Sequence, residues 1–415
     1  MSYTEYSLNS KAAAERLKSV INRTPLQFNA RLSAKYDAEI YLKREDLQVV
    51  RSYKLRGAFN MIVQLRSAQL SRGVVCASAG NHAQGVAFSC RRLNTRGVIF
   101  MPEITPKQKI DQTRMFGDGM VEIILVGDTF DDCLREALLY TEANGMTFIP
   151  PFDNHNVIEG QGTVGVEILE DLEGVEVVLF PMGGGGLAAG AGSYLKQALP
   201  GLNVIGVEPL GAPSMTRALE NGGPVTLETV NSFIDGAAVK RMGELTFTIC
   251  KDIVDQVVLV PEGKVCTTIL QMYNQEAIVA EPAGALSVAA LDFCQEQIKG
   301  KKVVCVISGG NNDIERMQEI KELSLLYENL KHYFVVRFPQ RPGALKMFVN
   351  NVLGPTDDIT RFEFIKKTQR EYGPALVGIE LKSADDYASL IQRMEAHRFD
   401  YKEINRDKTL FEYLV

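Results

Sequence analysis

An apolar run, Val177-Val178-Leu179-Phe180-Pro181-Met182, passes straight into four glycines, Gly183 to Gly186, and leaves as Leu187-Ala188-Ala189-Gly190-Ala191. Four residues without side chains carry a heavy backbone entropy cost, so this strand–turn–helix junction constrains the fold more than any other feature. Its backbone N–H groups can close around an anion, and the positive end of the following helix adds to the attraction. The loop lacks the lysine and hydroxyl of a nucleoside-triphosphate loop. Gly183-x-Gly185-x-x-Ala188 also fits a dinucleotide fingerprint, with Glu208 about twenty residues on as ribose acceptor, and both alternatives stay open at this point.

Two more apolar strands end in polar or glycine-rich turns. Val74–Ala77 runs into Ser78-Ala79-Gly80-Asn81-His82, and Val303–Ile307 into Ser308-Gly309-Gly310-Asn311-Asn312. Ser78 is expected to cap the helix that follows, leaving N–H groups that suit a carboxylate; the alternative is a plain cap with Asn81 and His82 on a wet helix face. Ser308 is either a turn residue or a hydroxyl placed to meet a neutral ring nitrogen. In Ser52-Tyr53-Lys54-Leu55-Arg56-Gly57, the apolar residues Leu55, Ala58, Phe59 and Ile62 recur at helical spacing. Ser52 is the expected N-cap, which puts Lys54 in the first turn. There the helix dipole, Arg56 and burial all push the ammonium towards the neutral amine that condenses with an aldehyde, marking Lys54 as a candidate Schiff-base lysine. Among 45 Lys and Arg residues, a surface lysine ahead of a helix is the plain alternative.

At 415 residues the chain has room for two or three domains. A net charge of −6 without a polybasic run argues against a nucleic-acid partner. No apolar stretch reaches membrane-spanning length and the N-terminus is polar, so neither a membrane nor a secretory route is expected. Seven cysteines without a C-x-x-C fit buried thiols in a reducing cytoplasm, and His82, His155, His332 and His397 have no metal-ligand spacing, so no catalytic metal is expected. Apolar runs at 72–77, 97–101, 122–126, 175–180, 203–207 and 302–307 alternate with helical patterns, the signature of an α/β fold with parallel sheets. After a charged helix expected from about Asp313 the order changes. Strands are predicted at 332–336, 362–367 and 375–381, helices at 342–352 and 385–397, and a closing strand at 401–405 or 409–414, a ferredoxin-like α+β unit. The expected organisation is a catalytic domain over 1–320, with a smaller subdomain at about 45–150, a linker at 321–330 and a further domain at 331–415.

Together these motifs resemble a family. Ser52-Tyr53-Lys54-Leu55-Arg56-Gly57-Ala58, Ser78 to His82, Gly160-Gln161-Gly162-Thr163, Gly183 to Leu187 and Ser308 to Asn311 are similar, in order, to the pyridoxal-phosphate-dependent threonine dehydratases of the tryptophan-synthase-β-like group. The resemblance covers most of residues 20–320. It implies pyridoxal 5′-phosphate as cofactor, carried by Lys54, with Asn81 at the ring hydroxyl, Gly183, Gly184, Gly185, Gly186 and Leu187 around the phosphate, and Ser308 at the pyridine nitrogen. Ser78, Ala79, Gly80, Asn81 and His82 would then hold the substrate carboxylate. Tyr53 stands where family members commonly have Phe. The C-terminal segment resembles the ACT-like regulatory domain of biosynthetic members. One such module fits here, where long forms carry two.

The implied activity is dehydration of L-threonine to 2-oxobutanoate and ammonia, with L-serine as a second substrate, in a cytoplasmic homotetramer. Isoleucine is the expected effector, with valine opposing it. Serine racemase shares nearly all these motifs, but the resembling racemases have a serine where this chain has Ala79. A non-catalytic amino-acid sensor is the rival from another class. A monovalent cation near Glu208 is left open.

Overall fold

The continuous apolar runs in the first three-quarters of the chain form two parallel sheets. The computed structural model describes residues 8–366 and 370–415, and these divide into two units, one ending at Ile314 and one running from Glu315 to Val415. The first unit contains β1 (Leu26–Phe28), β2 (Glu39–Arg44), β3 (Val74–Ala77), β4 (Gly97–Met101), β5 (Val121–Leu125), β6 (Thr147–Phe148), β7 (Val177–Pro181), β8 (Asn203–Pro209), β9 (Gln256–Val260) and β10 (Lys302–Ile307). One sheet has the order β1-β2-β10-β7-β8-β9, parallel except for β1. The other has the order β5-β4-β3-β6 and is parallel throughout.

The period-2 geometry of a strand explains why these runs are apolar on every residue. In β3, Val74 and Cys76 face helices Lys54–Val63 and Asn81–Leu93, while Val75 and Ala77 face Cys133 and Ala137 of helix Phe130–Asn144. In the larger sheet, Val178 and Phe180 of β7 and Val304 and Val306 of β10 share a core with Ile158, Val164 and Ile168 of helix His155–Asp171. All seven cysteines are free and buried.

The second unit is an antiparallel sheet of β11 (Lys331–Pro339), β12 (Asp358–Phe364), β13 (Tyr372–Glu380) and β14 (Asp400–Glu403), in the order β12-β13-β11-β14. Helices Ala344–Asn351 and Asp386–Ala396 cover one face through Phe348, Leu390 and Met394, which pack on Phe334, Val336, Val377 and Ile379. Three expectations need correction. The strand placed at 362–367 starts four residues earlier and ends at Phe364, and Lys367 lies outside the described residues. Residues 409–414 belong to a helix, Lys408–Leu414, because Asp407 caps it by accepting from Leu410 N at 3.1 Å. Most of the expected linker is helical, Met317–Tyr327. Its Leu326 packs with Leu410 and Phe411 on Tyr333, Leu376 and Ile404, the other face of the same sheet. Glu322 accepts from Tyr333 Oη at 2.5 Å and pairs with Lys331 at 2.8 Å.

Candidate active site

Parallel strands deliver their following loops to one edge, and that edge is where the motifs meet. Lys54 follows β2, Ser308 follows β10 and the glycine loop follows β7, three adjacent strands. The junction is stitched by backbone bonds: Tyr53 N donates to Ser308 O at 3.1 Å, Gly310 N to Arg51 O at 2.9 Å, and Ser52 bridges Gly309. The smaller sheet brings Ser78 to Gly80 after β3 and Ile149 to Phe152 after its neighbour β6.

Lys54 is the first residue of helix Lys54–Val63, as its motif suggests. Its cap differs from expectation, because Tyr53 occupies the N-cap position without a side-chain bond, while the Ser52 hydroxyl is buried and unpartnered. Lys54 Nζ donates to Pro151 O at 2.9 Å. It lies 5.4 Å from the Tyr53 ring centroid and 5.9 Å from that of Phe152. Burial pushes the amine down to about 8, against the opposing charge of Glu281. Arg56 has no part in this shift, since its guanidinium is spent on Glu45 and Glu167 at 2.7 Å each.

Phe152 also joins Lys54 to the glycine loop. A Cβ on Gly184 would sit 2.3 Å from the Phe152 ring, and Gly185 has φ +84°, a conformation that favours glycine. The loop carbonyls are engaged: Gly184 O accepts from Thr246 Oγ1 at 2.7 Å and Gly185 O from Ala189 N at 2.8 Å. The first N–H groups of the helix that follows have no intrahelical acceptor, so they remain for an anion. A π-turn over Ala188–Gly192 comes next. The Gly160-Gln161-Gly162-Thr163 motif lies in helix His155–Asp171 and allows close packing. Gly160 abuts the Arg56 carbonyl of the lysine helix, and Gly162 and Gly165 abut Gly190 and Ala191 after the glycine loop.

The turn after β3 departs from its predicted roles in two ways. Gly80, not Ser78, is the N-cap of helix Asn81–Leu93, and Ser78 Oγ instead accepts from Gly80 N at 3.2 Å. The His82 ring is buried and not on a wet helix face: Nε2 bonds Ile149 O at 2.8 Å, and burial, reinforced by Lys54, pushes the imidazole down to about 3. It holds the segment whose Pro151 carbonyl receives Lys54. Asn81 Nδ2 donates to Glu281 Oε1 at 2.6 Å and Asn81 Oδ1 accepts from Asn311 Nδ2 at 2.7 Å. Next to Gly80 a Cβ would meet nothing within 4 Å, so the turn opens onto space. Ser308 is buried beside it, 3% exposed.

Glu281 escaped the sequence reading. Its signal is that it is the sole charged residue between Ala277 and Leu291. Glu208, by contrast, is committed to structure: its carboxylate accepts from Met215 N at 2.6 Å, Thr216 N at 3.0 Å and Thr216 Oγ1 at 2.8 Å, capping helix Ser214–Asn221. That use leaves the dinucleotide alternative without its ribose acceptor. Among the described residues, no group of three or more His, Cys, Asp or Glu is arranged to hold a metal ion.

A half-buried lysine of lowered basicity, a glycine loop at a helix start, and unpartnered buried polar atoms at Ser52 Oγ and Asn311 Oδ1 together fit a phosphorylated aldehyde cofactor. Comparison with known proteins agrees. The family model "Pyridoxal-phosphate dependent enzyme" matches residues 17–309, and "C-terminal regulatory domain of Threonine dehydratase" matches residues 322–414. The chain belongs to the pyridoxal-phosphate-dependent threonine dehydratase family. The biosynthetic L-threonine dehydratase IlvA of Bacillus subtilis is 58% identical over 97% of this chain and 96% of its own, and that of Halalkalibacterium halodurans is 56% identical over 97% of both. Among solved structures, the processed threonine deaminase isoform 2 of Solanum lycopersicum superposes with a TM-score of 0.74 at 40% identity, covering 78% of this chain and 93% of that one. Maize serine racemase gives 0.71 at 27% identity, covering 77% and 97%.

In this dehydratase-family chain, Gly184→Ala is expected to weaken pyridoxal phosphate binding. The added methyl must displace the Phe152 ring and with it the surroundings of Lys54. Overpacking of this kind costs about 1–3 kcal/mol, or roughly 5- to 150-fold in affinity, measurable by equilibrium dialysis. Unchanged affinity would show that the loop yields without disturbing the site.

Proposed function

We propose that the protein dehydrates L-threonine to 2-oxobutanoate and ammonia, with Lys54 as its catalytic residue. The observation that carries this is the placement of Lys54, half-buried, its amine lowered to about 8 and sharing Phe152 with the glycine loop. Bound pyridoxal phosphate supplies an aldehyde for the amine and a ring that accepts electron density from the substrate Cα. Gly183 to Leu187 would hold its phosphate, Asn81 its ring hydroxyl and Ser308 its ring nitrogen. A serine hydroxyl beside that nitrogen would leave it largely unprotonated where a carboxylate would protonate it, which would favour loss of the β-hydroxyl over side reactions. The backbone of Ser78 to His82, at a helix start, binds the substrate carboxylate. Lys54 Nζ removes the Cα proton as general base, the Cβ–O bond breaks, and the β-hydroxyl leaves with a proton as water. After release, the unsaturated amine tautomerises and hydrolyses in water.

Ala79 carries no titratable group, which supports elimination over racemisation. The test is direct: the purified protein should take up pyridoxal phosphate with a visible absorbance that changes on adding threonine, and 2-oxobutanoate should accumulate. A protein that binds the cofactor but releases only D-amino acid, or nothing, sinks this assignment. Serine should give pyruvate by the same route.

The second unit is assigned to feedback by isoleucine. Its sheet carries a cleft of about 340 Å³ lined by Phe338, Phe362 and Phe364 together with Arg341, Gly343 and Lys366, at the start of helix Ala344–Asn351. Aromatic walls suit a branched aliphatic side chain, and the two cations suit a carboxylate. Isoleucine is expected to lower threonine turnover with a coupling of about 1–3 kcal/mol, roughly 5- to 150-fold in apparent affinity, valine opposing it. Arg341→Ala should abolish the response in the full chain while sparing basal activity. If no branched-chain amino acid affects the intact protein, the sensor role is wrong. If Arg341→Ala responds normally, this cleft is not the site. A cytoplasmic homotetramer is the assembly we infer, and sedimentation will decide its size. Among the described residues, no helix is long and apolar enough to cross a membrane.

A further inference from the structure

Asn81 is gripped from two sides, by Glu281 Oε1 at 2.6 Å and by Asn311 Nδ2 at 2.7 Å, and Asn311 is in turn held by Val50 O at 2.9 Å. Which end of a carboxamide carries its N–H groups is decided by such partners. An ionised carboxylate only accepts, so Glu281 demands the nitrogen end of Asn81, and the Asn311 amide donor demands the oxygen end. One N–H of Asn81 Nδ2 is then left over, with its direction set. Glu281 is itself fixed. Its backbone N–H donates to Gly309 O at 3.1 Å, the Asn311 backbone N–H donates to its carboxylate, and a Cβ on Gly309 would lie 2.2 Å from Oε1. It immediately precedes the buried helix Pro282–Ala289.

We propose that Glu281 is a positioning residue acting through Asn81, orienting the amide so that its remaining N–H meets the ring oxygen of the cofactor, and placing a titratable charge behind that contact. The proposal rests on the assignment of Asn81 to the ring hydroxyl made above. Every charged neighbour bears on it. Burial first, and then Asp235, raise the carboxyl, while Asn81, Lys109 and the Asn311 N–H lower it, leaving it pushed up to about 7. Its charge also reaches Tyr53 and Lys54. As pH rises through that value the carboxyl ionises. The new anion disfavours negative charge on the ring oxygen, so a proton is retained more firmly by the bound cofactor. Below it the carboxyl is neutral and this bias disappears.

Two substitutions separate charge from contact. Glu281→Gln keeps the shape and an acceptor oxygen but cannot ionise; Glu281→Asp keeps the charge and withdraws it from Asn81 by one methylene. Pyridoxal phosphate affinity, the visible absorbance of the bound cofactor, and kcat and kcat/KM for threonine are measured from about pH 5 to 9, with circular dichroism to verify folding. The wild-type absorbance and the acid limb of kcat/KM should both show a step near pH 7. In Glu281→Gln the step should vanish while cofactor affinity stays within about threefold of wild type, and Glu281→Asp should bind the cofactor about tenfold more weakly or worse. A folded Glu281→Gln that titrates like the wild type overturns the proposal, as does a Glu281→Asp that binds as tightly as the wild type. Failure of the wild type itself to take up pyridoxal phosphate would instead defeat the underlying assignment of Lys54 and Asn81, and this inference with it.

Discussion

Lys54→Ala is expected to lower threonine turnover by more than about 10⁴-fold, because it removes both the tether of the cofactor and the base at Cα. Arginine should not rescue it, since a guanidinium stays protonated and forms no imine. The fold should survive, and the cofactor-free protein should become more stable. The amine's folded-state value of about 8 lies below its ordinary 10.5, so burial of the ammonium works against folding below pH 8, and that cost is relieved as pH rises from 8 towards 10.5. The stability difference between variant and wild type should therefore reach at most about 3 kcal/mol below pH 8 and disappear in strong base. Urea unfolding at two pH values measures it. Near-normal 2-oxobutanoate production by Lys54→Ala would reject the catalytic assignment.

Arg56→Met is expected to cost about 3–5 kcal/mol of stability, the penalty for stripping a buried cation from its carboxylates. Arg56 is fully buried. Its guanidinium meets Glu45 Oε1 and Oε2 at 2.7 and 2.8 Å, Glu167 at 2.7 and 2.9 Å and Thr163 Oγ1 at 3.0 Å. Lys43 Nζ adds a second cation 2.6 Å from Glu167. Burial alone would raise the Glu167 carboxyl, yet Arg56 and Lys43 hold it below its ordinary range. The stability this supplies is present above the unfolded carboxyl value and is lost as pH falls through the lower, folded one. Arg56→Lys should recover only part of the loss, because an ammonium cannot reproduce the fork. A loss below about 1 kcal/mol for Arg56→Met would mean that the two carboxylates are neutralised without it.

Those carboxylates show where sequence reading reached its limit. Strands such as β3, β4 and β10 were legible to within about two residues, because a strand buried on both faces must be apolar throughout. The glycine loop and Lys54 were legible because their backbone demands are local. Ser52 and Ser78 were misjudged as caps: a serine ahead of a helix reads as a cap until another contact claims it, here the long-range bridge of Ser52 to Gly309 and the local turn in which Ser78 Oγ accepts from Gly80 N. The partner of the His82 side chain was not legible, since the carbonyl it binds lies 67 residues away. Glu281 was invisible for a related reason, since its partner Asn81 is 200 residues distant and no periodicity encodes such a pair. In the second unit, the charged helix expected from about Asp313 is present as Met317–Tyr327, whereas the helix at 408–414 was read as a possible strand because it becomes amphipathic only against the rear face of that sheet.

The pairing of β2 with β10 has a consequence for how the protein comes into being. Arg44 lies opposite Ile307, so the strand that leads to the lysine finds its neighbour only after some 260 further residues have been made. Until then β2 has only the three-residue β1 beside it, and Lys54 and Ser308 belong to separate parts of a growing chain. Closing so long a loop is slow, and it leaves the unpaired edge exposed to other chains while it lasts. The cofactor site is thus a product of the final zippering of the large sheet. Pyridoxal phosphate supplied during refolding has no complete site to occupy before that event, and acts by holding the finished state once it forms.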